Sequence, residues 1–378
     1  KMITIHTSPS QYTPSNNCIK WCISQSDIGS GGIVKRMAYQ LVLSDDTPIT
    51  AVESIRTPQA NDIVCFDFQA DVRGLLSAIF PLVDTPAAQE DEYIIKGIKL
   101  KYWEVETDTL TCETIEGAKS FTDEVFVYRG VLQVYEENTT GARMLHHYPD
   151  NITMCRGARA FIWLLRAGYS GSLAVTYSWR DGVTEDVTIN VPTGHDASVV
   201  PLHYQPFTGV NPTWLVVSIP AINKTITIEY KDCCCSSEDY MNIMYLDPMG
   251  GRGMMSFECA DEFSLSTDGG EVCLYQECGQ GTLGDGSDRY TRNGKSILGK
   301  TAKEVITMTR EAAYSKEEME YFKSFLASNE YHVQMSYEDN TNFRAFIVES
   351  GTAVYYDKEE AVEFIVKGYF AENYRTLR

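Results

Sequence analysis

Short runs of alternating apolar and polar residues, each closed by a turn signal, recur along almost the whole chain. A period of two fits strands that bury one face, and it excludes a mainly helical fold. In the first part the runs fall at 2–6, 18–24, 36–43, 49–55 and 63–68, with Asp45-Asp46-Thr47-Pro48 as the hairpin between the third and fourth. One helix interrupts them, where Leu75, Leu76 and Ile79 recur at helical spacing within 71–80. After the acidic loop Gln89-Glu90-Asp91-Glu92, a long strand is expected over 93–105.

The second part repeats this grammar, with strands expected at 125–128, 131–135, 172–179, 187–191, 198–202, 214–219 and 225–230. The apolar stretch 158–167 is read as a short helix. The third part differs. Strand 242–246 closes on Asp247-Pro248-Met249-Gly250-Gly251, a turn whose adjacent Gly250 and Gly251 permit positive φ. Strands 254–259 and 272–276 precede a glycine-rich loop over 279–294, and strand 305–309 leads to the clearest helix. Ser315 and Glu318 form a capping box there, and Met319, Phe322, Phe325 and Leu326 make its apolar stripe. Strands 332–336, 343–348 and 362–370 end the chain. The expected architecture is mainly β, with two β-sandwich domains of immunoglobulin or fibronectin type over 1–122 and 123–238. An α+β domain with one helix on an antiparallel sheet follows over 239–378.

Charge narrows the function. With 52 Asp and Glu against 32 Lys and Arg the net charge is −20, and no segregated basic face offsets it, so nucleic acid is not an expected partner. The 43% apolar content is that of a folded globular protein. No secretory signal or membrane-length apolar run is seen, so the reading is a soluble protein made in the cytoplasm, without membrane insertion. The 11 cysteines are an odd number in a long chain and include the run Cys233-Cys234-Cys235, so reduced thiols are expected. Cys18 and Cys22 share strand parity and are expected to face one side. The sequons at Asn138, Asn151 and Asn223 are then chance matches.

Motifs for chemistry are weak. Gly279-Gln280-Gly281-Thr282-Leu283-Gly284 has dinucleotide-loop spacing, but Asp285-Gly286-Ser287-Asp288 follows where a helix N-terminus is required. The same acidic stretch lacks the distal bidentate Glu of a calcium loop. No C-x-x-C pair is present, and His146-His147 stands apart from the cysteines, so no zinc set can be named. Gly168-Tyr169-Ser170-Gly171 misses nucleophile-elbow spacing by one residue, and neither His195-Asp196 nor His203 lies in a catalytic motif. Close acid pairs arise by chance among 52 carboxylates, which leaves an acid-pair hydrolase as the weakest reading. Trp103, Trp163, Trp179 and Trp214 could serve as sugar-stacking platforms, making a carbohydrate-binding module the alternative, although core packing is the plainer account of them. No catalytic residue, metal ligand or cofactor is assigned.

Several stretches together resemble tail or baseplate proteins of phages and prophages of anaerobic gut bacteria. In the opening part these are Ile3-Thr4-Ile5-His6-Thr7-Ser8-Pro9, Tyr39-Gln40-Leu41-Val42-Leu43, Phe66-Asp67-Phe68 and Val72-Arg73-Gly74-Leu75-Leu76. Tyr128-Arg129-Gly130-Val131-Leu132-Gln133 and Ala160-Phe161-Ile162-Trp163-Leu164-Leu165 are similar to the family's second-domain pattern. Tyr245-Leu246-Asp247-Pro248-Met249-Gly250-Gly251 and Met255-Ser256-Phe257 resemble its third-domain opening. There the family tends to carry Asn and Leu before the glycines and an aromatic just after, whereas this chain has Asp247, Met249 and Arg252. The helix over 315–328 and the closing hairpin are similar to tail proteins whose sheet and helix build rings. The resemblance implies a structural assembly protein of the virion, put together in the bacterial cytoplasm. Its expected partners are copies of itself and other tail proteins.

Overall fold

The computed structural model describes residues 3–77, 88–91, 93–130, 142–155, 157–194, 197–202, 212–231, 240–273, 295–334, 343–356, 360–371 and 375–377. It is mainly β, with 26 strands against two α-helices among the described residues.

The first eleven strands are β1 (Ile3–Thr7), β2 (Tyr12–Pro14), β3 (Lys20–Gln25), β4 (Ile33–Leu43), β5 (Glu53–Ile55), β6 (Ile63–Asp67), β7 (Gln89–Asp91), β8 (Ile95–Asp108), β9 (Thr114–Glu116), β10 (Ser120–Phe121) and β11 (Val125–Tyr128). One sheet runs β1-β3-β6 and another β2-β11-β8-β4-β5, with β9 and β10 added to β8. Their inner faces share one core. Met37, Tyr39 and Leu41 alternate inward from β4 to meet Trp21 and Ile23 of β3. Each such side chain removed from water contributes about 1.5–3 kcal/mol. Strand β11, expected in the second part, lies in this first assembly of sheets, pairing antiparallel with β8 and parallel with β2. The sheet β2-β11-β8-β4-β5 therefore runs past residue 122.

Three expectations need correction here. The helix expected over 71–80 is the five-residue α1 (Gln69–Arg73), which buries Val72, and residues 78–80 lie outside the described residues. The cysteines are not all thiols, because Cys22 and Cys65 sit directly opposite on β3 and β6 and form a disulfide. Cys18 lies ahead of β3 and is exposed, its thiol donating to Asp67 Oδ2 at 3.1 Å, so it does not share a face with buried Cys22. Strand parity held no information about a residue outside the strand.

The next strands are β12 (Arg143–Met144), β13 (Asn151–Cys155), β14 (Phe161–Leu165), β15 (Gly171–Ser178), β16 (Thr184–Val191), β17 (Ala197–Pro201), β18 (Trp214–Ile219) and β19 (Lys224–Lys231). They form two sheets, β12-β14-β17-β7 and β13-β19-β18-β15-β16. The apolar stretch expected to be helical is the strand β14, and all five of its residues are buried. A strand covered on both faces has no reason to alternate, so its sequence mimics a buried helix. The acidic segment taken as a loop supplies β7, whose Asp91, Glu90 and Gln89 pair with Ala197, Ser198 and Val199.

The last part comprises β20 (Tyr240–Leu246), β21 (Arg252–Cys273), β22 (Lys295–Ala313), the helix α2 (Lys316–Leu326), β23 (Tyr331–Gln334), β24 (Phe343–Tyr356), β25 (Ala361–Phe370) and β26 (Arg375–Leu377). Their order is β21-β20-β23-β24-β25-β22-β26, and β21 also pairs with β22, which closes the first six into a ring. The Ser315 hydroxyl accepts from Glu318 N–H at 3.0 Å and starts α2. Tyr321, Phe322 and Phe325 form its buried side. These rings meet Tyr245 of β20, Phe257 of β21, Tyr331 of β23 and Phe364 of β25. One apolar core runs without a break from β14 and β15 into this ring and under α2.

Candidate functional site

The turn singled out from sequence, Asp247 to Gly251, joins β20 to β21. It closes on itself through Gly250 N–H to Asp247 O at 2.9 Å and Asp247 N–H to Gly251 O at 2.9 Å. Gly250 has φ +113, a conformation L side chains rarely adopt, and a Cβ there would collide with the Arg129 carbonyl. Gly251 is glycine for another reason. Its Cβ would fall 2.6 Å from Cβ of Trp163 and 2.7 Å from the Leu145 carbonyl, to which its own N–H donates at 2.7 Å. On the facing segment Gly130 has φ +145 and abuts the Met249 carbonyl. Asn16 N–H donates to Gly130 O at 2.9 Å, and Arg129 N–H donates to Ile94 O at 2.7 Å. Segments from all three parts of the sequence thus meet at one turn.

Asp247 holds the knot by its side chain, which is fully buried. Oδ1 accepts from Met249 N–H at 2.8 Å, and Oδ2 accepts from His147 N–H at 2.9 Å. The His147 ring places Nδ1 2.9 Å from Oδ1, and facing a carboxylate that nitrogen carries the proton. Hydrogen bonds to a charged group contribute about 1.5–3 kcal/mol each, enough to make this carboxylate a main fastener. His146 behaves differently. Its Nε2 accepts from Trp163 N–H at 3.2 Å, and burial, only partly opposed by Asp247, holds its pKa down to about 3. The neutral ring then carries its proton on Nδ1, which has no hydrogen-bond partner among the described residues.

Further polar contacts stitch the second part to the ring. Ser256 Oγ accepts from Cys155 N–H at 3.0 Å and donates to Asn242 Oδ1 at 2.6 Å. Gln334 donates to Gly157 O at 3.0 Å and accepts from Arg159 N–H at 3.3 Å. Tyr148 OH accepts from Met254 N–H at 2.9 Å. The sequence places Asp247 in the turn but does not show its bonds to His147, which lies 100 residues away in the chain. The available signal was an Asp opening a Pro-Met-Gly-Gly turn, where a carboxylate can accept from the backbone two residues on.

A cleft of about 310 Å³ lies beside this junction, between the outer face of β13, β19 and β18 and the corner where β22 meets α2. Trp214 and Glu229 are cross-strand partners there, and Thr153 pairs with Glu229 on the other side. The opposite wall carries Arg310, Glu317 and Glu318. Arg310 is committed to Thr153 O at 2.7 Å and lies 3.6 Å from Glu318, whose pKa burial raises against the pull of that guanidinium. Of the tryptophans weighed as platforms, Trp103 and Trp163 are buried and Trp179 is half-buried, whereas Trp214 is 43% exposed.

The glycine-rich loop with Asp285 and Asp288, the Cys233 to Cys235 run, His195, Asp196 and His203 lie outside the described residues. Among the described residues no group of three or more His, Cys, Asp or Glu could hold a metal ion, and no helix is long and apolar enough to cross a membrane. No protein-family model matches the chain, and no curated protein matches it in sequence. Among solved structures it is similar to the crystal structure of CBD12 from CALX1.2, at 8% identity and a TM-score of 0.17, over 58% of this chain and 96% of that one. A likeness that distant carries no argument about function.

Proposed function

We propose that the chain is a structural assembly protein of a phage tail or baseplate, acting through protein–protein interfaces in a homo-oligomer beside other tail proteins and without catalytic turnover. The observation that carries this reading is the ribbon formed by β21 and β22. These strands pair from Glu258 and Thr309 out to Cys273 and Lys295, while β20 ends opposite Glu258 and β25 opposite Ile306. Beyond those rungs the ribbon continues for about 30 Å at roughly 3.3 Å per residue. Among the described residues only β26 adds to it, over Lys300 to Ala302. A ribbon of two strands is marginal in water by itself, and a neighbouring subunit that covers it supplies the missing support.

The same reading takes the two pairs of sheets as sandwiches of immunoglobulin or fibronectin type, and the ring with α2 as the α+β unit that follows. The site of action is the virion. The deciding experiment measures the size of the purified protein by sedimentation and electron microscopy, beside a variant in which 268–301 is replaced by an Asn-Gly turn. A ring or other symmetric oligomer that the shortened variant fails to form is the expected result. A parent protein that stays strictly monomeric at high concentration rejects the proposal, as does full assembly of the shortened variant.

A further inference from the structure

We propose that the cleft beside Trp214 is a receptor for an arginine side chain presented by a partner protein. Three carboxylates, Glu229, Glu317 and Glu318, line it against the single guanidinium of Arg310. That guanidinium is already engaged with Glu318 and the Thr153 carbonyl, so two negative charges remain in excess. Strand register sets the indole of Trp214 beside the Glu229 carboxylate on one face of the sheet. A flat cation fits both at once. Its plane stacks on the exposed indole, and its paired N–H groups reach a carboxylate in the bidentate geometry that a lysine ammonium cannot match.

Charge decides between this occupant and a sugar. A sugar ring could also stack on Trp214, but a neutral ligand leaves the excess negative charge of a half-sealed cleft uncompensated, whereas a guanidinium offsets it. Charge also identifies the source. A second copy of this chain brings a further net −20, so the fitting partner is a basic segment of a different protein. That the partner is a protein rests on the assembly reading, while the preference for a guanidinium rests on the cleft alone.

The test titrates the full-length protein with the capped tripeptides Gly-Arg-Gly, Gly-Lys-Gly and Gly-Gln-Gly, and with methyl glucoside, reading the indole resonances by NMR. The Arg peptide is expected to move the Trp214 signal in a saturable way, with the Lys peptide weaker and the Gln peptide silent. Glu229→Gln is expected to weaken binding about tenfold, and Trp214→Leu roughly threefold, read on neighbouring resonances. Both changes lie on solvent-facing positions, and an unaltered melting temperature shows that the fold is kept. Equal response to the Gln peptide, response to the sugar in place of the Arg peptide, or no response at all overturns the inference. Arg-peptide binding by a protein that never assembles would keep this inference and reject the assembly reading, and an assembled oligomer with an unresponsive cleft would do the reverse.

Discussion

Strand β21 has two halves with opposite surroundings. Its start, at Arg252, Met254, Met255 and Phe257, is buried among β20, α2 and the second part of the chain. Its far half is one side of a ribbon whose other side is β22. Both halves pair antiparallel, the near one with β20 in unbroken register and the far one with β22 across two register shifts, so strand direction does not make the difference. At the near end, packing and the Asp247 knot supply stability that the ladder need not. At the far end, among the described residues, only β26 joins the ladder, and assembly is the proposed complement.

The largest effect is expected at the glycine turn. Gly250→Ala forces a side chain into positive φ and onto the Arg129 carbonyl, and is expected to cost about 4 kcal/mol. Chemical denaturation would show this as a large fall in midpoint, and a wild-type midpoint would mean the junction is looser than described. Asp247→Ala removes the buried acceptor of the His147 and Met249 N–H groups, with an expected loss of about 3 kcal/mol. Shortening the ribbon by replacing 268–301 is expected to change stability by less than about 1 kcal/mol while removing oligomers, since the near half keeps its own core.

His146 has a folded pKa depressed to about 3 from 6.5, so the unfolded chain binds the proton first. Its contribution is complete above pH 6.5 and is lost as pH falls towards 3, at up to about 1.4 kcal/mol per unit. Denaturation midpoints followed down this range should fall, and His146→Gln should flatten the slope. Last comes salt. Subunits carrying −20 each repel at low ionic strength, and about 0.1 M salt shortens the screening length to about 10 Å. Oligomers should loosen as salt is withdrawn; tighter assembly in low salt would mean that the acids are paired across the contacts.

How much could be read beforehand follows from which residues face water. Strands such as β18 and β19, with one face buried, announced themselves by alternation. Strand β14 did not, because the ring covers its Trp163 side and the neighbouring sheet its other face. Strand β7 was hidden for the opposite reason, since Gln89, Glu90 and Asp91 hold their place by backbone pairing and carry no apolar signal. In α2 the stripe was legible, but Tyr321 was passed over although it is fully buried, its hydroxyl donating to the Met254 carbonyl. At the junction, Gly250 was legible as a turn residue. The need for Gly251 was not, as it comes from Trp163 and Leu145, which only the folded chain brings near.

Strand β7 also sets a timetable for folding. It is made before the sheet that holds β8 and β11 is finished, yet its partner β17 begins at Ala197, opposite Asp91. At a synthesis rate of about 5–20 residues per second, residues 89–91 wait roughly 5–20 seconds for that partner to emerge. The nascent first part therefore leaves the ribosome with a stretch of backbone already committed to a sheet that does not yet exist. A cut anywhere between 91 and 197 separates the two, so the protein cannot be divided there into pieces that each keep a complete set of strands.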